Sequence, residues 1–130
     1  MTTAYLDSSF LLAIVFGEPR AAPLRRVLAG FDRLLSSDLL VAECLSAAQR
    51  EEVDRKAMVV SLRPVDLVLP SRSLQPEVAE VLDQGYLRGA DLWHVACALF
   101  VAEDTRSEVA FLSRDEPQRR VARRLGFPTP

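Results

Sequence analysis

The sequence predicts a three-layer α/β/α domain, with helices on both faces of a central parallel sheet of four to five strands. Three observations carry that expectation. Short apolar runs alternate with helical patterns along the whole chain, which argues for parallel strands joined by crossover helices. The first run, Ala4-Tyr5-Leu6, lies so near the start that later strands must add around it. Two of the runs stop at an acid with neighbouring hydroxyls, Asp7-Ser8-Ser9 and Ser113-Arg114-Asp115. In open α/β sheets ligands bind beyond the carboxyl ends of the strands, which is where these residues would stand.

The totals bound the rest. A chain of 130 residues is the size of one domain, 1–130, able to bury a core without staples. Its 49% apolar and 26% charged residues match an ordinary globule, not a disordered or membrane protein. A net charge of −2 gives no global reason to expect nucleic acid, so any such case rests on local patches. Cys44 and Cys97 each lie in an apolar helical pattern with no partner at metal-type spacing, which reads as two buried thiols in a reducing cytosol. The start of the chain lacks a basic region followed by a long apolar core, and no stretch reaches the roughly 18 apolar residues of a membrane span. The expectation is a cytoplasmic protein.

Taken in order, Ser8 and Ser9 cap a short helix, Phe10 to Phe16, which Gly17 and Pro19 end. Ala21 to Leu28 is amphipathic and stops at Gly30. Arg33 to Ser37 reads as the second strand, and Ser37 or Asp38 then caps a helix from Leu39 to about Val53 with Glu43 the one charge inside its apolar run. Asp54 to Leu62 is ambiguous, readable as a short helix ended by Arg63-Pro64. Val65 to Leu69 alternates between Pro64 and Pro70, a strand near an edge. Pro76 to Gln84 forms a helix with Val78, Val81 and Leu82 inward, ended by Gly85, and a long helix opens at Gly89-Ala90-Asp91. Val109 to Leu112 is the fourth strand, Glu116 to Leu125 a basic amphipathic helix, and Gly126-Phe127-Pro128 the start of a short last strand.

Four acids stand out. Asp7 and Asp115 follow apolar strands and project at the same sheet edge, Asp91 opens a helix, and Glu43 sits where burial normally excludes charge. Singly, Asp7 reads as an Asx-turn, and Asp91 and Asp115 as helix caps. Glu43 needs a partner, either an arginine such as Arg50 or Arg88 or a shared cation. Carboxylates brought together repel unless a divalent cation sits between them, and all-carboxylate sites select Mg²⁺ or Mn²⁺ over zinc. Metal held this way is equipment for phosphodiester hydrolysis.

Tyr5-Leu6-Asp7-Ser8-Ser9, Leu40-Val41-Ala42-Glu43-Cys44-Leu45-Ser46-Ala47, Leu87 to Ala96 and Phe111-Leu112-Ser113-Arg114-Asp115 resemble, in order, the four motifs of the PIN-domain nucleases, and most of all the small VapC-type toxins of type II toxin-antitoxin pairs. The resemblance implies a parallel α/β/α fold, a Mg²⁺- or Mn²⁺-dependent endoribonuclease, inhibition by a cognate antitoxin, and a homodimer. It puts the acidic cluster on Asp7, Glu43, Asp91 and Asp115. Ser9 matches the hydroxyl that supports the first acid, Ser113 the hydroxyl before the fourth, and His94 a common family histidine one turn beyond Asp91. A lone His on an apolar helix is more often a satisfied core residue than a ligand or base. The link from Asp54 to Pro64 is shorter than in such relatives, which bears on the substrate groove and not on the acids.

Arg114, Arg119, Arg120, Arg123 and Arg124 cluster on or beside the last helix, as RNA contacts or as a solvated face. The antitoxin, by the same resemblance, would lay an amphipathic segment over the first helices and direct a basic side chain at the acids. The competing class is a catalytically silent PIN-like RNA- or protein-binding module. Phosphoacceptor and phosphatase readings of Asp7 need a lysine after a later strand, and Lys56, the sole lysine, is far from any strand end. A P-loop is excluded for want of a Gly-rich run with its lysine.

Overall fold

The structure, a computed structural model, describes residues 1–105 and 108–130, with side chains at 1–103 and 108–130. Four strands, β1 (Thr3–Leu6), β2 (Arg33–Ser37), β3 (Val65–Val68) and β4 (Val109–Leu112), form one parallel sheet in the order β3-β2-β1-β4. Seven helices connect them: α1 (Ser8–Val15), α2 (Ala21–Ala29), α3 (Leu39–Arg50), α4 (Arg55–Leu62), α5 (Gln75–Gln84), α6 (Gly89–Thr105) and α7 (Glu116–Arg124). Helices flank both faces of the sheet, the expected three-layer arrangement.

The period-two geometry of the strands sorts the core. Tyr5, Leu35, Val109 and Phe111 point to one face and pack with Val95, Cys97 and Val101 of α6, Val81 of α5 and Val121 of α7. Ala4, Leu6, Ala110 and Leu112 point to the other, against Phe10 and Ile14 of α1, Leu24 of α2, Cys44 of α3 and Met58 of α4. Both faces of β1 and β4 are therefore apolar, and all four residues of each are buried. Tyr5 and Phe111 pair across the two strands and stack with ring centroids 5.7 Å apart, and Phe127 closes on Phe111 at 6.2 Å.

The chain lays β2 and β3 to one side of β1 and β4 to the other. The sense of winding reverses between β1 and β4, and such a reversal opens a crevice at the carboxyl ends of the two strands. Asp7 leaves β1 and Ser113 leaves β4 at that crevice, joined there by the Asp7 amide donating to the Leu112 carbonyl at 2.9 Å.

Several boundaries differ from expectation. Asp7 itself, not Ser8 or Ser9, is the N-cap of α1, since its carboxylate can reach the Ser9 amide. The third helix stops at Arg50, where the chain turns through Glu52 in the left-handed region, φ 56°. The ambiguous stretch agrees with its short-helix reading, as α4 capped by Asp54 and ended at Arg63. On α5 the inward stripe is Val78 and Val81, while Leu82 is 43% exposed because it lies about 100° round the helix from Val81. Residues 126–128 form no strand. Phe111 donates to the Pro128 carbonyl at 2.8 Å, but proline has no amide with which to continue a ladder.

Replacing Phe111 by Ala removes a fully buried ring that touches two others, and the expected cost is about 3–5 kcal/mol. A urea titration of the variant should show a midpoint lowered accordingly with an unchanged slope.

Candidate active site

The crevice is built outward from Asp7, which is only 3% exposed. A buried carboxylate must have its oxygens satisfied. Oδ2 accepts from the Ser9 amide at 3.0 Å and the Ser9 hydroxyl at 2.5 Å, and Oδ1 accepts from Gln118 Nε2 at 3.2 Å. The Ser9 hydroxyl oxygen also accepts from the Arg114 amide at 2.9 Å and lies 3.3 Å from the Ser113 hydroxyl.

Gln118 joins the parts. Its Oε1 accepts from the Ser113 hydroxyl at 2.6 Å, while Nε2 donates to Asp7 and to the Asp91 carbonyl at 3.1 Å. The reverse orientation of the amide would set its oxygen against two acceptors, so the assignment is fixed by its partners. The Gln118 amide in turn donates to Asp115 Oδ2 at 3.0 Å, making Asp115 the N-cap of α7, and the Asp115 amide donates to Ser113 Oγ at 2.9 Å. Gln118 is fully buried and was not among the sequence candidates. Its signal was present in Asp115-Glu116-Pro117-Gln118, an acid followed three residues later by Gln at a helix start.

Glu43 lies on the other flank, its side chain 26% exposed, and its partner is neither Arg50 nor Arg88. Arg50 pairs with Glu51 at 3.1 Å. The partner is His94, fully buried on α6, whose Nε2 lies 2.5 Å from Glu43 Oε1 and 3.8 Å from Asp7 Oδ1. An ionised carboxylate only accepts, so Nε2 carries the proton. Nδ1 lies 2.9 Å from the Tyr5 hydroxyl, whose oxygen accepts from the Ser37 amide at 3.0 Å. His94 is a satisfied core residue and also the group that holds Glu43. Tyr5 was read only as strand and motif, because nothing in one sequence pairs residues 5 and 94.

Asp91, in the first turn of α6, is half-buried. Its carboxyl is pushed above the ordinary carboxylate range, first by burial, then by the negative charges of Asp115 and Asp7; Arg88 offsets part of this and Glu43 adds to it. Asp91 thus feels the other three predicted acids at this crevice. The donor set is all oxygen and suits a hard divalent cation. Among the described residues, however, no three His, Cys, Asp or Glu groups are gathered at ligating range. The cysteines take no part. Both are buried, and burial foremost pushes their thiols up to about 12, with Glu43 and then Asp7 adding to the effect at Cys44.

Two concavities flank the acids. One of about 220 Å³ is lined by Tyr86, Leu87, Arg88, Asp91, Asp115 and Pro117. Another, of about 450 Å³, includes Ser9, Leu12, Phe16, Arg50 and Arg114. The arginines of α7 are largely committed. Arg119 donates to the Thr129 carbonyl at 2.8 Å, Arg123 pairs with Glu116 at 2.6 Å, and Arg124 donates to the Gln84 carbonyl at 2.6 Å. Arg114 and Arg120 are exposed and form no ion pair among the described residues.

The parallel α/β/α sheet with carboxylates at its winding reversal agrees with what a family match then shows. The profile described as PIN domain matches residues 4–124, and the chain belongs to that family, whose members are generally nucleases that use divalent metal ions. No curated protein matches the chain. Among the described residues no helix is long and apolar enough to cross a membrane.

The raised Asp91 carboxyl makes a prediction for the metal-free protein. A carboxylate whose folded pKa exceeds its unfolded value leaves stability intact at low pH and removes it as pH rises through the folded value. In chelator, Asp91→Asn should therefore melt above the wild type at neutral pH, and the gap should close as pH falls into the ordinary carboxylate range. Thermal melts of both proteins across pH check this.

Proposed function

We propose that the chain, as a single domain spanning residues 1–130, is an endoribonuclease that hydrolyses RNA phosphodiester bonds with Mg²⁺ or Mn²⁺. Asp7, Glu43, Asp91 and Asp115 hold the ion and are the catalytic residues. The observation that carries this reading is the placement of the four acids at one sheet edge: Asp91 and Asp115 line one cleft, His94 stands between Asp7 and Glu43, and the Asp91 carboxyl is raised by all three others as well as by burial. When bound, such an ion supplies Lewis acidity at a phosphoryl oxygen and acidifies the attacking water.

The chain's own residues set the geometry. Ser9 and Gln118 hold Asp7 in one orientation, the Ser113 hydroxyl donates to Gln118, the Arg114 amide donates to Ser9, and His94 holds Glu43 through Nε2 with Tyr5 behind it. These are positioning residues. Exposed Arg114 and Arg120, with Arg50 and Arg88 at the two concavities, provide phosphate contacts that draw RNA to an otherwise acidic crevice. Arg119, half-buried and tied to Thr129, serves the fold more than the substrate.

The biological role we assign is that of a toxin held in check by a cognate antitoxin in the cytoplasm, acting as a homodimer. Support comes from the motif resemblance and from apolar surface on α4 and on and just after β3, where Val59, Val60, Leu67 and Leu69 are exposed. A second reading, a catalytically silent PIN-like binding module, is favoured by the one fact that no three candidate ligands stand at ligating range among the described residues.

Incubation of the purified protein with single-stranded and structured RNA, with Mn²⁺ or with chelator, separates the two. Cleavage should require the metal and fall by at least ~10²-fold in Asp7→Asn without loss of fold. Cleavage surviving chelation would sink the metal mechanism, and absence of carboxylate-dependent Mn²⁺ binding by calorimetry would favour the silent module. His94→Ala should weaken Mn²⁺ binding by roughly 10- to 100-fold in the same calorimetry, and His94→Gln, which retains an N–H donor, should restore most of it.

A further inference from the structure

Tyr86 is the one aromatic side chain left in solvent. Of six Phe, two Tyr and one Trp, it alone is exposed, at 80%. The exposure is imposed by the backbone on each side. Gly85 lies so close to α7 that a Cβ there would meet Val121 Cγ2 at 3.1 Å, and Arg124 grips the carbonyl of Gln84. Leu87, on the other side, is 5% exposed and belongs to the core under α6. With both neighbours pinned inward, the extended chain between α5 and α6 turns the ring of Tyr86 outward on a fixed support.

The support stands at the acidic crevice. Tyr86 lines the same cleft of about 220 Å³ as Asp91, Asp115 and the guanidinium-bearing Arg88, with Pro117 as a further apolar wall. That volume is below the ~300–1,000 Å³ of sites that enclose a whole small molecule, so it suits a single flat group. A nucleobase is the neutral, flat part of a nucleotide. It can lie against a ring beside carboxylates that repel phosphate, while Arg88 takes the phosphate next to it. We infer that Tyr86 is a stacking platform for one nucleobase of single-stranded RNA, setting the strand's register over the acids. The inference rests on the ribonuclease reading and assigns that site a substrate class, unpaired RNA, in which bases are free to stack on an aromatic face.

The test measures binding by fluorescence anisotropy in the Asp7→Asn background with Mn²⁺. The probes are a labelled single-stranded RNA of about ten nucleotides and an abasic ribose-phosphate oligomer of equal length. Tyr86→Ala should raise Kd for the RNA by roughly 5- to 100-fold and leave the abasic oligomer unchanged, while Tyr86→Phe and Tyr86→Trp restore binding. In the cleavage-competent protein, Tyr86→Ala should raise KM far more than it lowers kcat. Equal losses on both oligomers, or none on either, overturn the platform. So does unaltered RNA affinity with loss of self-association, which would assign the ring to a protein interface. Cleavage by wild type with an unmoved Tyr86→Ala variant removes the platform alone. Base-dependent binding through Tyr86 without any cleavage by wild type in Mn²⁺ removes the ribonuclease reading and leaves the platform, and wild type that binds neither oligomer removes both.

Discussion

Both oxygens of Asp7 are tied to the chain itself, and the carboxyl edge of the sheet is assembled around that constraint. A charge this deeply buried cannot be left without donors. Ser9 and Gln118 provide them, but each is itself polar and enclosed, so each needs a further partner. Ser113 donates to Gln118, and the Arg114 amide donates to Ser9. The result fastens the end of β1, the end of β4, the first turn of α7 and the backbone of α6 at Asp91 to one another. Partial satisfaction of such a network is worse than none, which makes its members interdependent instead of additive.

Two of the remaining acids, Asp91 and Glu43, follow the opposite logic. Asp91 is left among like charges that Arg88 offsets only in part, and Glu43 has a histidine N–H as its partner in place of an arginine. An arginine salt bridge at either point would stabilise the apoprotein and fill the crevice with a fixed cation. The chain has arginines in abundance, yet on α7 it directs them elsewhere, to Glu116, to Thr129 and to the end of α5. The crevice keeps its negative field at some expense in stability, a balance common where function demands a strained local charge pattern.

Much of this was readable beforehand. The strand cores and the alternation with helices fixed the sheet, because apolar runs of that length between turn residues allow few alternatives. The four acids were picked out by position, each at a strand end, a helix start or an apolar helix interior. What one sequence could not reveal were contacts between distant residues: His94 with Glu43, Gln118 with Asp7, Tyr5 with His94. An imidazole inside an apolar helix has the same local pattern whether it meets a core hydroxyl or a carboxylate. Local rules also misjudged Leu82, which hydrophobicity placed inward and helical phase turns out, and the final segment, where two prolines stop a strand that composition allows to begin.

That final segment has a consequence for how the protein can assemble. The outward amide of Phe111 is occupied by Pro128, which leaves β4 with little to offer an incoming strand. At the opposite margin β3 is four residues long and bracketed by Pro64 and Pro70, an unfavourable template for extension. With both borders of the sheet blunted, pairing of strands edge to edge is disfavoured, so copies that associate would do so through side-chain surfaces and leave the β-sheet no wider than it is in one subunit.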